Sequence, residues 1–313
     1  MDKSPNIIFF GTPDFAVPSL NALIRSCFNV SMVVTQPDRT KGRGRKMLPP
    51  PVKIAAKNLG YEVLQPESIK TESFYRTAAD TRPDFLIAVA FGNLIPDRLL
   101  SLPKISSVNI HPSLLPKYRG PAPIQWALIN GENETGVTIM TLDSGMDTGD
   151  ILISEIETIR PDDTSADLHD RLAERGASLL IKALDGLLSG SITPRPQNSS
   201  EATYAPLLKK ADGLIDWSIP SEKIEAFIRG MTPWPGAFTF FNEKRLKIFK
   251  VKQAARVEDA TPGRIIKSFQ DELHVATGNG ALSILEIQGA SGKRLFIREF
   301  LRGTTIPEGT VLQ

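Results

Sequence analysis

The chain has 313 residues, 41% of them hydrophobic, and a formal net charge of +2, a balance that suits one or two domains with a real core. No apolar run approaches the roughly 18 residues that span a bilayer, and a single cysteine, Cys27, excludes an internal disulfide. With so small a net charge, any nucleic-acid binding must come from local clustering.

The opening MDKSPNIIFFGTPDF has neither a cationic segment leading into a long apolar one nor an Arg/Ser-rich amphipathic stretch. A cytoplasmic protein without a presequence is expected, and the lone cysteine agrees with a reducing compartment. Residues 6–10 (NIIFF) form an apolar run stopped by Gly11, which predicts a buried strand. Apolar residues at helical spacing follow over 15–25, then a strand over 30–35 (VSMVVT) and a helix over 51–59. Strands over 61–64 and 85–90 (FLIAVA), with a helix over 71–79 between them, continue the alternation. Such alternation predicts a doubly wound, mostly parallel, Rossmann-like α/β sheet. Later strands are expected over 108–111 and 136–142. Thr164 should cap a long helix running to about Leu188, with Asp167 at the capping-box position.

The texture changes at residues 190–200 (GSITPRPQNSS), which are polar and hold two prolines. Three parts are expected: a catalytic domain over 1–189, a linker over 190–207 and a C-terminal domain over 208–313. In the last part, Ser221 opens a short helix. Short strands are expected over 237–241, 246–251, 263–267, 272–277, 282–288 and 293–297. That spacing predicts a small OB-like barrel. Residues 208–313 carry 16 lysines and arginines against 12 acids, net +4, whereas residues 1–207 carry 21 against 23, net −2.

Three constellations carry chemistry. Asn109 and His111 fall two apart on a strand that Pro112 ends, so both project from one face, roughly 7 Å apart. A carboxamide and an imidazole suit a carbonyl becoming an oxyanion; the plain alternative is a strand-end pair satisfied by loop backbone. The loop Asp143-Ser144-Gly145-Met146-Asp147-Thr148-Gly149-Asp150 could set a carboxylate against His111, or be an exposed turn. It fails the EF-hand spacing. Residues 39–46 (RTKGRGRK) place Arg39, Lys41, Arg43, Arg45 and Lys46 on a glycine-bearing loop suited to nucleic-acid phosphates. Like charges should keep that loop extended and mobile when free; a merely solvated loop is the alternative. A dinucleotide fingerprint would need a third glycine at Met47. One cysteine and three scattered histidines give no metal-site spacing, so no metal is expected.

Residues 11–16 (GTPDFA), TQPDR with GRGRK, 109–116 (NIHPSLLP), 118–120 (YRG) and 135–150 resemble, in order and spacing, the methionyl-tRNA formyltransferase family of folate-dependent formyltransferases. The resemblance covers essentially the whole chain. It implies transfer of a formyl group from 10-formyltetrahydrofolate, as co-substrate, to the amine of initiator methionyl-tRNA. It makes Asn109, His111 and Asp147 the catalytic group and Ser113, Leu114, Leu115 and Pro116 folate contacts. The loop after the buried strand, Phe91, Gly92, Leu94 and Ile95, is a further candidate for the pterin side. A monomer is expected. The NIHPSLLP signature with a later Asp is shared by folate-dependent formyl transferases and hydrolases generally. Two alternatives stay open: a formyltransferase acting on a small amine such as an amino-sugar nucleotide, and a non-catalytic tRNA-binding module.

Overall fold

The computed structural model describes residues 4–41, 46–255, 260–269, 271–290 and 292–313. These fall into two compact units. One gathers Met1–Gly120, Thr135–Glu157 and His169–Tyr204; the other gathers Pro121–Glu134, Thr158–Leu168 and Ala205–Gln313.

In chain order the first elements are β1 (Asn6–Gly11), α1 (Val17–Ile24), β2 (Asn29–Val34), β3 (Arg39–Lys41), β4 (Lys46–Leu48), α2 (Pro51–Asn58), β5 (Val63–Leu64), α3 (Glu72–Asp80) and β6 (Phe85–Val89). They continue with α4 (Asp97–Leu100), β7 (Ser106–His111), α5 (Pro123–Ile129), β8 (Glu134–Thr141), β9 (Ile151–Thr158) and α6 (Ser165–Ser189). Seven strands form one sheet in the order β5-β2-β1-β6-β7-β8-β9. The pairs from β5 to β7 are parallel, and β7 and β8 are antiparallel. The sheet is therefore the mostly parallel, Rossmann-like one that the alternation predicts. The continuous apolar runs have a simple cause: β6 is buried at every position, and β1 at all but its first, because both faces of a central strand are covered. Strand order reverses at β1, with β2 on one side and β6 on the other. Ligands of open α/β sheets bind at the carboxyl edge beside such a reversal. There the Thr12 hydroxyl donates to the Phe91 carbonyl at 3.0 Å.

The cap of α6 is as the spacing predicts. The Thr164 N–H and hydroxyl both donate to Asp167 Oδ2, at 2.9 and 2.6 Å, and the Asp167 N–H donates back to the Thr164 hydroxyl at 3.4 Å. Three features depart from expectation. Residues 14–16 make a 3-10 turn, so α1 starts two residues after Phe15. The basic stretch is flanked by an antiparallel two-stranded hairpin, β3–β4, pairing Arg39 with Leu48 and Lys41 with Lys46; its residues 42–45 lie outside the described residues. Strand β9 and helix α5 were not foreseen. The buried positions of β9 are Leu152 and Glu157, and Glu157 is held there by Arg171 and Arg175 of α6, so no period-two apolar pattern marks it.

The second unit holds α7 (Ser221–Met231), β10 (Ala237–Phe241), β11 (Lys244–Ala254), β12 (Ile265–Ser268), β13 (Leu273–Ala276), β14 (Ala281–Gln288), β15 (Leu295–Phe296) and α8 (Ile297–Gly303). Its six strands pair antiparallel in the order β10-β11-β14-β13-β12, with β15 also on β14. This is the small OB-like domain. Asn242 and Glu243, both at positive φ, close the β10–β11 hairpin in two residues, as the twist of paired strands favours. Ile224, Ile228 and Met231 of α7 pack with Ile248, Val275, Leu282 and Ile284 of the sheet. Helix α5 belongs to this unit; a Cβ added at Gly230 of α7 would lie 2.6 Å from Ile129, so the two helices meet closely. The expected strand over 293–297 is only two residues long. Glu299 accepts the Phe296 N–H at 3.3 Å and starts α8 instead.

Candidate active site

Strand β7 delivers two of the expected residues. Asn109 pairs with Ala88 on one side and Met140 on the other, and His111 pairs with Thr138. Between them, Ile110 faces α6, since a Cβ at Gly176 would lie 2.9 Å from its Cγ2. Alternation then puts Asn109 and His111 together on the opposite face. Among the described residues the half-buried Asn109 carboxamide has no hydrogen-bond partner, so its donors are open.

His111 is only 4% exposed. Its Nε2 lies 2.9 Å from the Tyr118 carbonyl oxygen. A carbonyl only accepts, so the proton sits on Nε2 and Nδ1 is left to exchange protons. Nδ1 is 3.6 Å from Asp147 Oδ1. That is too long for a hydrogen bond and close enough for charge to matter. Asp147 Oδ2 accepts the Gly120 N–H at 2.8 Å, which fixes the carboxylate.

Asp147 is displayed by a tight loop at a φ of 55°, which Asp tolerates better than most residues. Asp143 builds that loop: its carboxylate accepts from the Gly145 N–H at 3.0 Å and the Thr148 hydroxyl at 2.7 Å. Gly149 allows the return into β9; a Cβ there would sit 1.8 Å from the Thr141 carbonyl oxygen. The loop thus contributes Asp147 to the site and keeps Asp143 for its own folding.

The rigid run behind His111 folds onto β8. Ser113 and Leu115 are buried. The Thr138 hydroxyl donates to the Ser113 carbonyl at 2.7 Å and accepts the Leu115 N–H at 3.2 Å. The Ser113 hydroxyl donates to the Lys117 carbonyl at 2.6 Å. Leu114 lies over Gly136, and the Leu115–Pro116 bond is cis. In the loop after β6, Phe91 turns inward, its ring edge-on to Phe10 at 5.1 Å. Gly92 is exposed, Ile95 is half-buried, and Leu94 is 70% exposed. Of the basic residues, Arg39 is exposed and donates to Gln36 Oε1 at 3.3 Å. Lys41 ends β3 and Lys46 begins β4, and Arg43 and Arg45 lie outside the described residues. Asp38, at the base, accepts from Lys53 at 2.8 Å and Gln65 at 2.7 Å; these hydrogen bonds hold its carboxyl below the usual carboxylate range.

Four residues to which sequence reasoning gave no role bind the two loops together. The His111 partner, Tyr118, donates its N–H to the Thr203 hydroxyl at 2.8 Å. Arg119 is 3% exposed, and its Nε and Nη2 donate to Gln197 Oε1 at 3.1 and 2.7 Å. Gln197 Nε2 donates in turn to the carbonyls of Asp147 and Gly149, at 2.9 and 2.7 Å. Both Gln197 and Thr203 sit in the polar, proline-bearing stretch after α6, where nothing in the local sequence marks them.

The description "Formyl transferase" matches residues 5–184, and "Formyl transferase, C-terminal domain" matches residues 207–305. The chain belongs to the formyl transferase family. Within it, the similarity runs over the full length to proteins named methionyl-tRNA formyltransferase. That of Desulfotalea psychrophila is 47% identical over 312 residues, covering 100% of this chain and 97% of the relative. That of Caldanaerobacter subterraneus subsp. tengcongensis is 47% identical over 308 residues, covering 98% and 99%. The solved structure of methionyl-tRNA formyltransferase from Clostridium thermocellum superposes with a TM-score of 0.54 at 18% identity, over 80% of this chain and 94% of the other, and shares the fold.

Proposed function

We propose that the chain moves the formyl group of 10-formyltetrahydrofolate to the α-amino group of methionyl initiator tRNA, with Asn109, His111 and Asp147 as the reacting group. The full-length relatives support the reaction. The observation that carries the site is the open carboxamide of Asn109 on the same strand face as a buried imidazole that an aspartate approaches to 3.6 Å. A donor left open at a sheet's carboxyl edge fits a formyl oxygen that gains negative charge.

The folate supplies an activated formyl carbon; the amine nitrogen bonds to it and the bond from that carbon to the folate nitrogen breaks. One proton leaves the amine and one arrives on the folate nitrogen. A free α-amino group titrates at about 7.7–8.0, and the adjacent ester lowers that, so much of the amine is reactive near neutral pH. The chain need only align, stabilise charge and carry a proton. Asn109 donates toward the formyl oxygen. His111 takes and returns the proton at Nδ1, since Nε2 is committed to Tyr118. Asp147 balances the charge of the imidazolium from 3.6 Å.

The run Ser113, Leu114, Leu115 and Pro116 walls the folate side through backbone that Thr138 holds still. Gly92, Leu94 and Ile95 offer the exposed edge of the loop after β6 to the pterin, while Phe91 anchors that loop in the core. Arg39, Lys41, Arg43, Arg45 and Lys46 meet acceptor-stem phosphates, and the mildly basic C-terminal part over 208–313 adds to tRNA binding. Residues 1–189 hold the reacting group, and the stretch over 190–207 leads on in sequence to the C-terminal part. No helix among the described residues is long and apolar enough to cross a membrane; a monomer working in the cytoplasm fits a tRNA substrate. Incubation with methionyl initiator tRNA and 10-formyltetrahydrofolate should yield formyl-methionine on the tRNA. Formylation of an amino-sugar nucleotide with none on the tRNA would overturn this reading.

A further inference from the structure

The stretch after α6 runs along the catalytic loops. Arg195 exchanges two backbone hydrogen bonds with Ile151, at 2.8 and 2.9 Å, just where the Asp147 loop enters β9. Two residues on, Gln197 reaches Asp147 and Gly149 with its nitrogen and Arg119 with its oxygen. Six residues further, the Thr203 carbonyl accepts the Arg119 N–H at 2.9 Å, and the Thr203 N–H donates to the Pro116 carbonyl at 3.3 Å. One segment thus ties the loop carrying Asp147 to the loop whose Tyr118 carbonyl holds His111.

A primary carboxamide has two N–H donors and two acceptor lone pairs. Gln197 uses all four. No other side chain of that length presents two donors on one atom and an acceptor on the other. One of the carbonyls that it holds belongs to Asp147 itself, a residue in the left-handed region, and the other to Gly149 two residues on, so both ends of that turn are held. The Asp147 carboxylate already stands 3.6 Å from Nδ1, where small displacements matter.

We propose that Gln197 is a positioning residue of the active site: it fixes the Asp147 loop against Arg119 and so sets the His111–Asp147 geometry. This rests on the reading of Asp147 as part of the reacting group. Replacing Gln197 by Ala frees the loop. Replacing it by Glu keeps the acceptor for Arg119 but, when ionised, turns a charged oxygen toward two carbonyls. A protonated Glu can again donate to one of them.

The test is steady-state formylation of charged initiator tRNA by the full chain, with thermal unfolding of each variant alongside. Gln197→Ala should lower kcat about 10- to 100-fold, as displacements of an ångström or less do, with KM for both substrates within about threefold of the starting protein. Added to Asp147→Asn, it should cost less than about threefold more, since both changes act on one unit. For Gln197→Glu, kcat relative to the unchanged protein should rise as pH falls. A folded Gln197→Ala with unaltered kcat, a loss that multiplies fully with that of Asp147→Asn, or a flat pH ratio for Gln197→Glu would each overturn the proposal. Should Gln197→Ala not fold, the pH ratio of Gln197→Glu decides. Asp147→Asn at the full rate would instead overturn the catalytic reading, and this proposal with it.

Discussion

At the scale of single residues, the site depends on which donors are committed and which are open. His111 spends Nε2 on a backbone carbonyl, whereas Asn109 spends nothing on the described residues around it. On the proposed reading, charge stabilisation at the formyl oxygen therefore falls to Asn109, and proton transfer to His111. Asn109→Ala should cut the single-turnover rate by about 10²–10³, the usual cost of one lost oxyanion donor, and leave tRNA affinity almost unchanged. Rates near those of the unchanged protein, read by rapid quench at saturating substrates, would reject the assignment. This pair was legible in the sequence because strand periodicity alone puts residues 109 and 111 on one face. From the residues alone Asp147 was one acid among three in its loop, and only the family resemblance singled it out: the hydrogen bonds that commit Asp143 to the turn show once the loop is folded. Gln197 and Thr203 were not legible, because their partners lie 48 to 87 residues away and their own surroundings are polar and irregular.

At the scale of elements, the apolar strands declared themselves and the mixed ones did not. Buried on both faces, β1 and β6 need only apolar side chains. Strand β9 is an edge strand whose inward carboxylate, Glu157, pairs with Arg171 and Arg175 of α6, so its pattern reads as polar. Helix α5 hides behind Pro121 and Pro123 and is only seven residues long. Helix α6, by contrast, announces its start through Thr164 and Asp167. Its work is to cover β7 from the face opposite the site, where Gly176 lets Ile110 approach. Thr164→Ala removes a hydroxyl that both caps the helix and bonds the Asp167 carboxylate. It should cost about 0.5–2 kcal/mol, read as a lower urea midpoint, with Thr164→Ser restoring most of the stability. Formylation by the folded Thr164→Ala protein at low temperature should be unaltered. An unmoved midpoint would mean that the helix start is held by its tertiary contacts alone.

At the scale of the whole chain, charge is divided against the average. A net of +2 hides a basic cluster at residues 39–46 and a C-terminal part with an excess of four cations. Strands β3 and β4 bracket residues 42–45 in sequence, and at their base Asp38, Lys53 and Gln65 are tied together. On the proposed reading the cluster serves binding, not bond making, and the two can be separated by salt. Each phosphate neutralised by a cation releases counterions, so log K falls with log salt by about 0.7–0.9 per contact. Arg43→Ala should flatten that slope by about one such increment and raise KM for tRNA, while kcat at saturating tRNA stays near its starting value. Lys70→Ala, an exposed cation on another loop, should leave the slope alone. Filter binding of charged initiator tRNA between low and moderate salt reads both. Equal slopes for the unchanged protein and for Arg39→Ala, Arg43→Ala and Arg45→Ala would make the cluster a solvated surface. tRNA recognition would then have to rest on the basic residues of the C-terminal part, whose neutralisation should flatten the slope instead.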